Sequence, residues 1–426
     1  MKILWVKAGG LVPLDMGGKI RSFQMMKALS RKHAITFLTY YQEHSGDQHR
    51  ELENIFDRVI CFPLPIPDSG TARDCIRYAK NLLTWSPYAL SKYRDRAVAR
   101  RLRNLVLTEA YDILIADFCV GGVNFPWSAG HTKILFTHNA EAEIWRQHYE
   151  SAGNFLWKFV TWREWKTMLR QESAYVRRAD HVLTVSDTDK EYFSRFVSPE
   201  KITPIPTGVD SEYFHPNEGT EEADSIVFTG AMDWKPNEDA VLYYFCAEIL
   251  PRIRTELGAV KFWIVGRNPS ERVKGLSSNQ ASGIRVTGRV EDVRPYLHRA
   301  AVCVVPLRIG SGTRMKIFEA MACGKAVVST SIGAEGLPVR SGCNIALADN
   351  PEEFAAKVVE LCKMRAKRME MGKQARALVA QSYAWPAVGE QISTLLHQIH
   401  GRKRSANNAG ASPDFAHELP VQSTTL

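Results

Sequence analysis

No apolar run in this sequence approaches the ~18 residues that suggest a membrane span; residues 301–307 are among the longest. The first residues, MKILWVKAGG, run straight into a strand pattern. They lack the apolar core of roughly 7–15 residues and the small-residue cleavage site of a secretory leader, so a cytoplasmic location is expected. Among the eight cysteines there is no CxxC pair and no Cys/His cluster at zinc spacing. Neither a disulfide framework nor a metal site is therefore expected. Internal repeats and extended low-complexity tracts are also missing, which argues against solenoids and propellers.

What is there is length, ordinary folded-protein composition and an excess of basic charge. A chain of 426 residues exceeds what one core organises, so two domains of roughly 200 residues each are expected. The formal charge of +9 admits nucleic acid, an anionic membrane surface or phosphorylated substrates as partners, and by itself selects none.

Short β-branched runs alternate with longer helical patterns, twice over. Candidate strands in the first half are 3–7, 35–40, 59–62, 113–116, 134–137 and 182–185, with helical patterns at 19–31, 69–84, 91–108 and 141–178. After a proline-, glycine- and acid-rich break at 199–224 the alternation restarts. Strands are then expected at 226–229, 262–265, 284–287, 302–305 and 326–329, and helices at 237–256, 291–301, 313–323 and 351–380. Strands separated by helices need crossovers, which give parallel sheets covered on both faces. The fold class is α/β: two doubly wound Rossmann-like domains, 1–205 and 206–384, expected to face each other across a cleft. A helix at 385–400 is expected to cross back to the first domain, and the polar stretch 401–426 to be a disordered tail.

The most informative stretch is PLRIGSGTRMKIFEAMACGKAVVSTSIGAEGL, 306–337. An apolar strand ends at Pro306, Gly310 and Gly312 flank a sharp loop, and a helix opens near Thr313. Amides at such a helix start suit a phosphate. Lys316 and Glu319, three apart, share one helix face. A cation for a diphosphate beside a carboxylate for ribose hydroxyls is what a nucleoside diphosphate requires. A capped surface helix with one Lys/Glu pair accounts for the same residues on local physics alone. The loop matches neither GxxxxGK[ST] nor GxGxxG.

The segment resembles the donor-site signature of the family 4 glycosyltransferases, carried by Pro306, Lys316, EAMACGKAVVST (319–330) and GAEGL (333–337). MGGKIRS (16–22), TVSDTD (184–189), IPTGVDSEYF (205–214), FTGAMDWKPNEDA (228–240) and VTGRVEDVRPYL (286–297) are similar to further family motifs in the family's order. The resemblance implies the GT-B fold and a retaining hexosyl transfer from a nucleotide-sugar, which is a substrate; no cofactor and no metal are expected. It implies that Glu319 binds the ribose, that Lys316 and Lys235 neutralise the diphosphate, and that Gly310, Ser311, Gly312 and Thr313 supply backbone donors. Gly230 belongs to the first strand end of the donor domain. Arg289 and Val290 lie where the family cradles the base, with Glu335 and Gly336 near the far end of that pocket. Gly17 and Gly18 would close over the phosphates from the first domain, and His138 would line the donor sugar. His138, Lys316 and Glu319 are the catalytic candidates. Ser311 stands where the family commonly has a glutamate that contacts the sugar, so the sugar stays open.

Two basic-aromatic stretches remain, RDRAVARRLR (94–103) and LWKFVTWREWKTML (156–169). Amphipathic helices of this composition suit an anionic membrane face, which a lipid-linked rather than a free saccharide acceptor would make useful; the same residues also fit core tryptophans with solvated charges. Polysaccharide or glycoconjugate synthesis is the expected setting. The alternatives are a GT-B epimerase or phosphorylase, and a non-catalytic basic module binding membrane or nucleic acid. No nucleic-acid reading motif is visible, so nucleic acid is not an expected partner.

Overall fold

Seven strands of the first unit lie in one parallel sheet: β1 (Lys2–Ala8), β2 (Ala34–Gln42), β3 (Arg58–Leu64), β4 (Ile113–Asp117), β5 (Thr132–Phe136), β6 (His181–Thr184) and β7 (Ile202–Pro204). Their order is β3-β2-β1-β4-β5-β6-β7. This computed structural model describes residues 1–14, 16–42, 47–217, 219, 221–309 and 315–409. The central strands are buried on both faces, from Ile3 to Val6 on β1 and across Ile113–Asp117 on β4. Helical crossovers produce that burial, and it explains why these strands are apolar without alternation.

The second unit repeats the plan with β8 (Glu222–Thr229), β9 (Lys261–Val265), β10 (Ile284–Gly288), β11 (Ala300–Val305), β12 (Ala326–Ser329) and β13 (Ala346–Leu347). Its order is β10-β9-β8-β11-β12-β13, again parallel. The first unit comprises Met1–Ile205 with the chain from Gly389 onward, and the second Pro206–Val388.

Several elements differ from the sequence expectation. The single helix expected over 141–178 is two, Glu141–Glu150 and Phe155–Arg178, because Asn154 turns out and its side chain accepts from Trp157 N at 2.8 Å. The helix expected over 351–380 breaks at Met364, whose φ −102° and ψ 80° are not helical. The region 237–256 is helical from Lys235 to Leu257, with Ala240–Ile249 wound as π-helix. Strand β7 falls inside the expected linker; at three residues it is too short to show a pattern, and its proline is tolerated at a sheet edge.

The last helix, Trp385–Ala409, extends beyond 400, so 401–409 are helical rather than tail. Residues 410–426 lie outside the described residues. Within the first unit Ile392, Leu396 and Ile399 of this helix are buried. Gly389 passes so close to the helix Gly17–Ser30 that a Cβ there would stand 2.7 Å from Ala28 Cβ. Farther along, Lys403 Nζ reaches Asp180 at 2.6 Å and the His131 carbonyl at 2.8 Å, which ties down the polar end.

Candidate active site

In each unit the winding direction reverses between two neighbouring strands, β1 and β4 in the first and β8 and β11 in the second. Crevices beyond the carboxyl ends of such strands are where open α/β sheets bind ligands.

In the second unit the helix Met315–Ala322 follows β11. Its Lys316 Nζ donates to Asn237 Oδ1 at 2.7 Å and lies 4.2 Å from the Phe228 ring centroid on β8. Asn237 is buried and donates through Nδ2 to the Ala231 carbonyl at 2.8 Å, so its amide is fixed at both ends. Gly230 leaves room for both: a Cβ there would sit 2.7 Å from Lys316 Nζ and 2.8 Å from Asn237 Nδ2. Gly266 approaches in turn, and its Cβ would fall 1.8 Å from the Gly230 carbonyl oxygen. The strand ends are thus stripped of side chains where the lysine enters.

Glu319 is one turn further along the same helix. It is half-buried, and among the described residues its carboxylate has no hydrogen-bond partner. Burial pushes its pKa above the ordinary value, while Lys316 pulls the other way. A partly desolvated, unpartnered carboxylate beside a positioned lysine is the pattern of a binding group awaiting donors.

In the first unit Lys7 on β1 is paired in register with Asp117 on β4, and His138 follows the end of β5. Asp117 is fully buried. One of its oxygens meets His138 Nε2 at 3.0 Å; the other accepts from Trp5 Nε1 at 3.0 Å and lies 3.3 Å from Lys7 Nζ. Burial alone would raise the Asp117 carboxyl, but Lys7, His138 and Trp5 hold it well below the usual carboxylate range. Burial pushes His138 down to about 4 against the pull of Asp117, so the imidazole is neutral near pH 7. With Nε2–H donated to Asp117, Nδ1 carries the lone pair, and it is buried without a partner among the described residues.

Phe118 covers this cluster, with its ring stacked on His138 at 3.7 Å between centroids and Lys7 Nζ 4.2 Å from its face. Its φ of +62° is unusual for a bulky residue. Gly18, second residue of the helix Gly17–Ser30, makes the seat: a Cβ there would stand 2.6 Å from Phe118 Cζ. Gly17 faces open space. His138, expected to open toward a ligand, is instead enclosed between Phe118 and Phe136.

The remaining candidates are spread over the strand ends. Lys235 opens the helix that carries Asn237, exposed and without an ion pair among the described residues. Arg289 is exposed after β10, while Val290 is half-buried and lines a cavity of about 450 Å³ with Trp263 and Tyr296. Glu335 and Gly336 are exposed in the turns after β12. Gly310, Ser311, Gly312 and Thr313 lie outside the described residues. Sequence reasoning missed Asn237, Lys7, Asp117 and Phe118. The available signal was position: each polar member lies at or just beyond the carboxyl end of a strand.

The sequence model of the Glycosyltransferase Family 4 matches residues 17–213, and that of the Glycosyl transferases group 1 matches residues 223–364. The chain is a family 4 glycosyltransferase. An uncharacterized 44.6 kDa protein in the cps region of Klebsiella pneumoniae is 21% identical over 395 residues, 90% of this chain and 96% of its own. The MMP alpha-(1->4)-mannosyltransferase of Mycolicibacterium hassiacum is 23% identical over 358 residues, 80% of this chain and 83% of its own. Anabaena HepE, solved in complex with UDP, superposes with a TM-score of 0.61 at 16% identity, covering 93% of this chain and 100% of that one. This likeness establishes the transferase's fold as GT-B, two parallel-sheet α/β domains.

Among the described residues of the transferase no helix is long and apolar enough to cross a membrane. The basic-aromatic stretch 156–169 lies on the helix Phe155–Arg178, where Trp157 is exposed but Trp162 and Trp165 are half-buried. Helix Arg96–Thr108 carries the other basic stretch, and its Val98, Leu102 and Leu105 face the core.

Proposed function

We propose that the transferase moves a hexose from a nucleoside-diphosphate donor to a hydroxyl acceptor, with retention at the anomeric carbon. The observation that carries this reading is Glu319: a half-buried carboxylate without a partner among the described residues, one turn from a lysine fixed by Asn237. Glu319 takes the ribose diol and Lys316 the diphosphate, where its charge stabilises the leaving group. The glycines at 230 and 266 leave backbone room for that group. On the first unit, the neutral His138, held in one tautomer by Asp117, would meet a sugar hydroxyl only once Phe118 leaves its seat over the imidazole. Retention is supported by the family relation; the anomeric configuration of the product, read by NMR, tests it. The location of the Klebsiella relative in a cps region is in line with a setting in cell-surface polysaccharide assembly; a saccharide or lipid-linked acceptor and contact with an anionic membrane at the cytoplasmic face belong to the same proposal.

A thermal-shift panel of UDP, GDP, ADP and their sugars tests the donor reading. At least one is expected to raise the melting temperature of the wild type. Glu319→Ala is expected to abolish that shift and to lower kcat/KM roughly 100-fold or more, with its unliganded melting temperature unchanged. Stabilisation by none of the nucleotides, or near-wild-type turnover by Glu319→Ala, removes the assignment.

A further inference from the structure

Helix Arg96–Thr108 presents Arg96, Arg100 and Arg103 at i, i+4 and i+7, so they share one face. Like charges at this spacing destabilise an isolated helix. Among the described residues none of the three is in an ion pair that would offset this cost. They line a concavity of about 840 Å³ together with Arg94 and, from helix Phe155–Arg178, Arg178. An adjoining hollow of about 380 Å³ shares Arg94 and Arg178 and adds Arg170. One carboxylate, Asp95, lies on the wall, and it is already engaged by the amides of Ala97 and Val98 at 2.8 and 2.9 Å.

The aromatic side of the hollow is fixed. Trp127 stacks on Tyr175 at 5.1 Å and donates its indole N–H to the Gly122 carbonyl at 2.8 Å. Gly122 permits the stack, since a Cβ there would come within 2.9 Å of the Tyr175 ring. Arg94 is bracketed by Asn124, which donates to the Tyr93 carbonyl at 2.9 Å and accepts from Asp95 N at 3.0 Å. Guanidinium forks gathered around a concavity beside a rigid aromatic wall match organic phosphates, which need bidentate donors and a surface for the rest of the molecule. The volume is that of a small-molecule site. A membrane surface would instead be met by basic residues on a convex face.

We infer that this arginine hollow of the first unit is a second anion site, taking an organic phosphate or diphosphate whose remainder lies against Trp127. It uses no residue assigned to the donor and stands apart from that reading. Calorimetric titration of the full chain with inorganic pyrophosphate tests it, in wild type, Arg100→Gln/Arg103→Gln and Lys316→Ala. Far-UV circular dichroism and thermal melts check that each variant folds. The expected result is one binding event of equal affinity in wild type and Lys316→Ala, weakened roughly tenfold or more in the double arginine variant, separate from any event at the donor helix that Lys316→Ala removes. A sole binding event that survives in the arginine variant but disappears in Lys316→Ala overturns the inference by moving the anion to the donor helix. No pyrophosphate binding in any form also overturns it. Arginine-dependent flotation on phosphatidylglycerol vesicles in that case assigns the face to a membrane.

Discussion

Lys316 depends for its direction on Asn237, a buried side chain with hydrogen bonds at both ends of its amide. Asn237→Ala removes both contacts. The donor KM is expected to rise roughly tenfold with a smaller change in kcat, measured by initial rates against donor concentration. An unchanged KM would show that the lysine needs no such support. Gly18 has a comparable role in the first unit. Gly18→Ala forces Phe118 off its seat over His138 and is expected to cost about 1–3 kcal/mol in urea unfolding. At this scale the sequence was only partly legible. The Lys316/Glu319 spacing and the presence of Gly18 could be read directly. Asn237, Asp117 and Lys7 could not, because their partners lie 79, 21 and 110 residues away along the chain.

Among the elements, the longer strands of both sheets were legible as apolar runs whose limits shifted by a few residues only, whereas β7 and β13, at three and two residues, are too short to show a pattern. Helix boundaries were less so, because a helical period continues across a cap: Asn154 divides one expected helix without disturbing its pattern. The final helix shows the same limit in another form. Its polar residues 401–409 read as tail, yet Lys403 is anchored by Asp180 and the His131 carbonyl. Packing through Leu396, fully buried, makes the docking testable. Leu396→Ala is expected to destabilise the chain by about 2–5 kcal/mol, read from denaturant midpoints. A loss well under 1 kcal/mol would mean the helix contributes little to the first unit's core.

For the whole molecule, buried titratable groups give stability a pH dependence with two opposing signs. His138 has its folded pKa at about 4, below the unfolded value near 6.5. The unfolded chain therefore takes up the extra proton in that window, and this contribution is lost as pH falls from 6.5 towards 4. Glu172 is the reverse case. Burial, with Glu141 adding to it, raises its pKa to about 7 even though the Glu141 amide and Tyr192 donate to it. Its contribution is lost as pH rises from about 4.5 to 7. Urea unfolding from pH 4 to 8 separates the two by difference. Relative to wild type, His138→Gln is expected to gain as pH falls and Glu172→Gln as pH rises. Parallel curves for wild type and variant would contradict the shift assigned to that residue.

The sequence by itself determined the α/β class, the parallel winding of both sheets and the helix face that joins Lys316 to Glu319. Each follows from local periodicity, and periodicity is a property of neighbouring residues. Only the tertiary structure decided that Asn237 aims the lysine and that Lys7, Asp117 and His138 form one buried cluster under Phe118. It alone drew the arginines of two helices around one hollow. Such arrangements arise where strand and helix ends distant in sequence are brought together, and no local pattern encodes which of them meet.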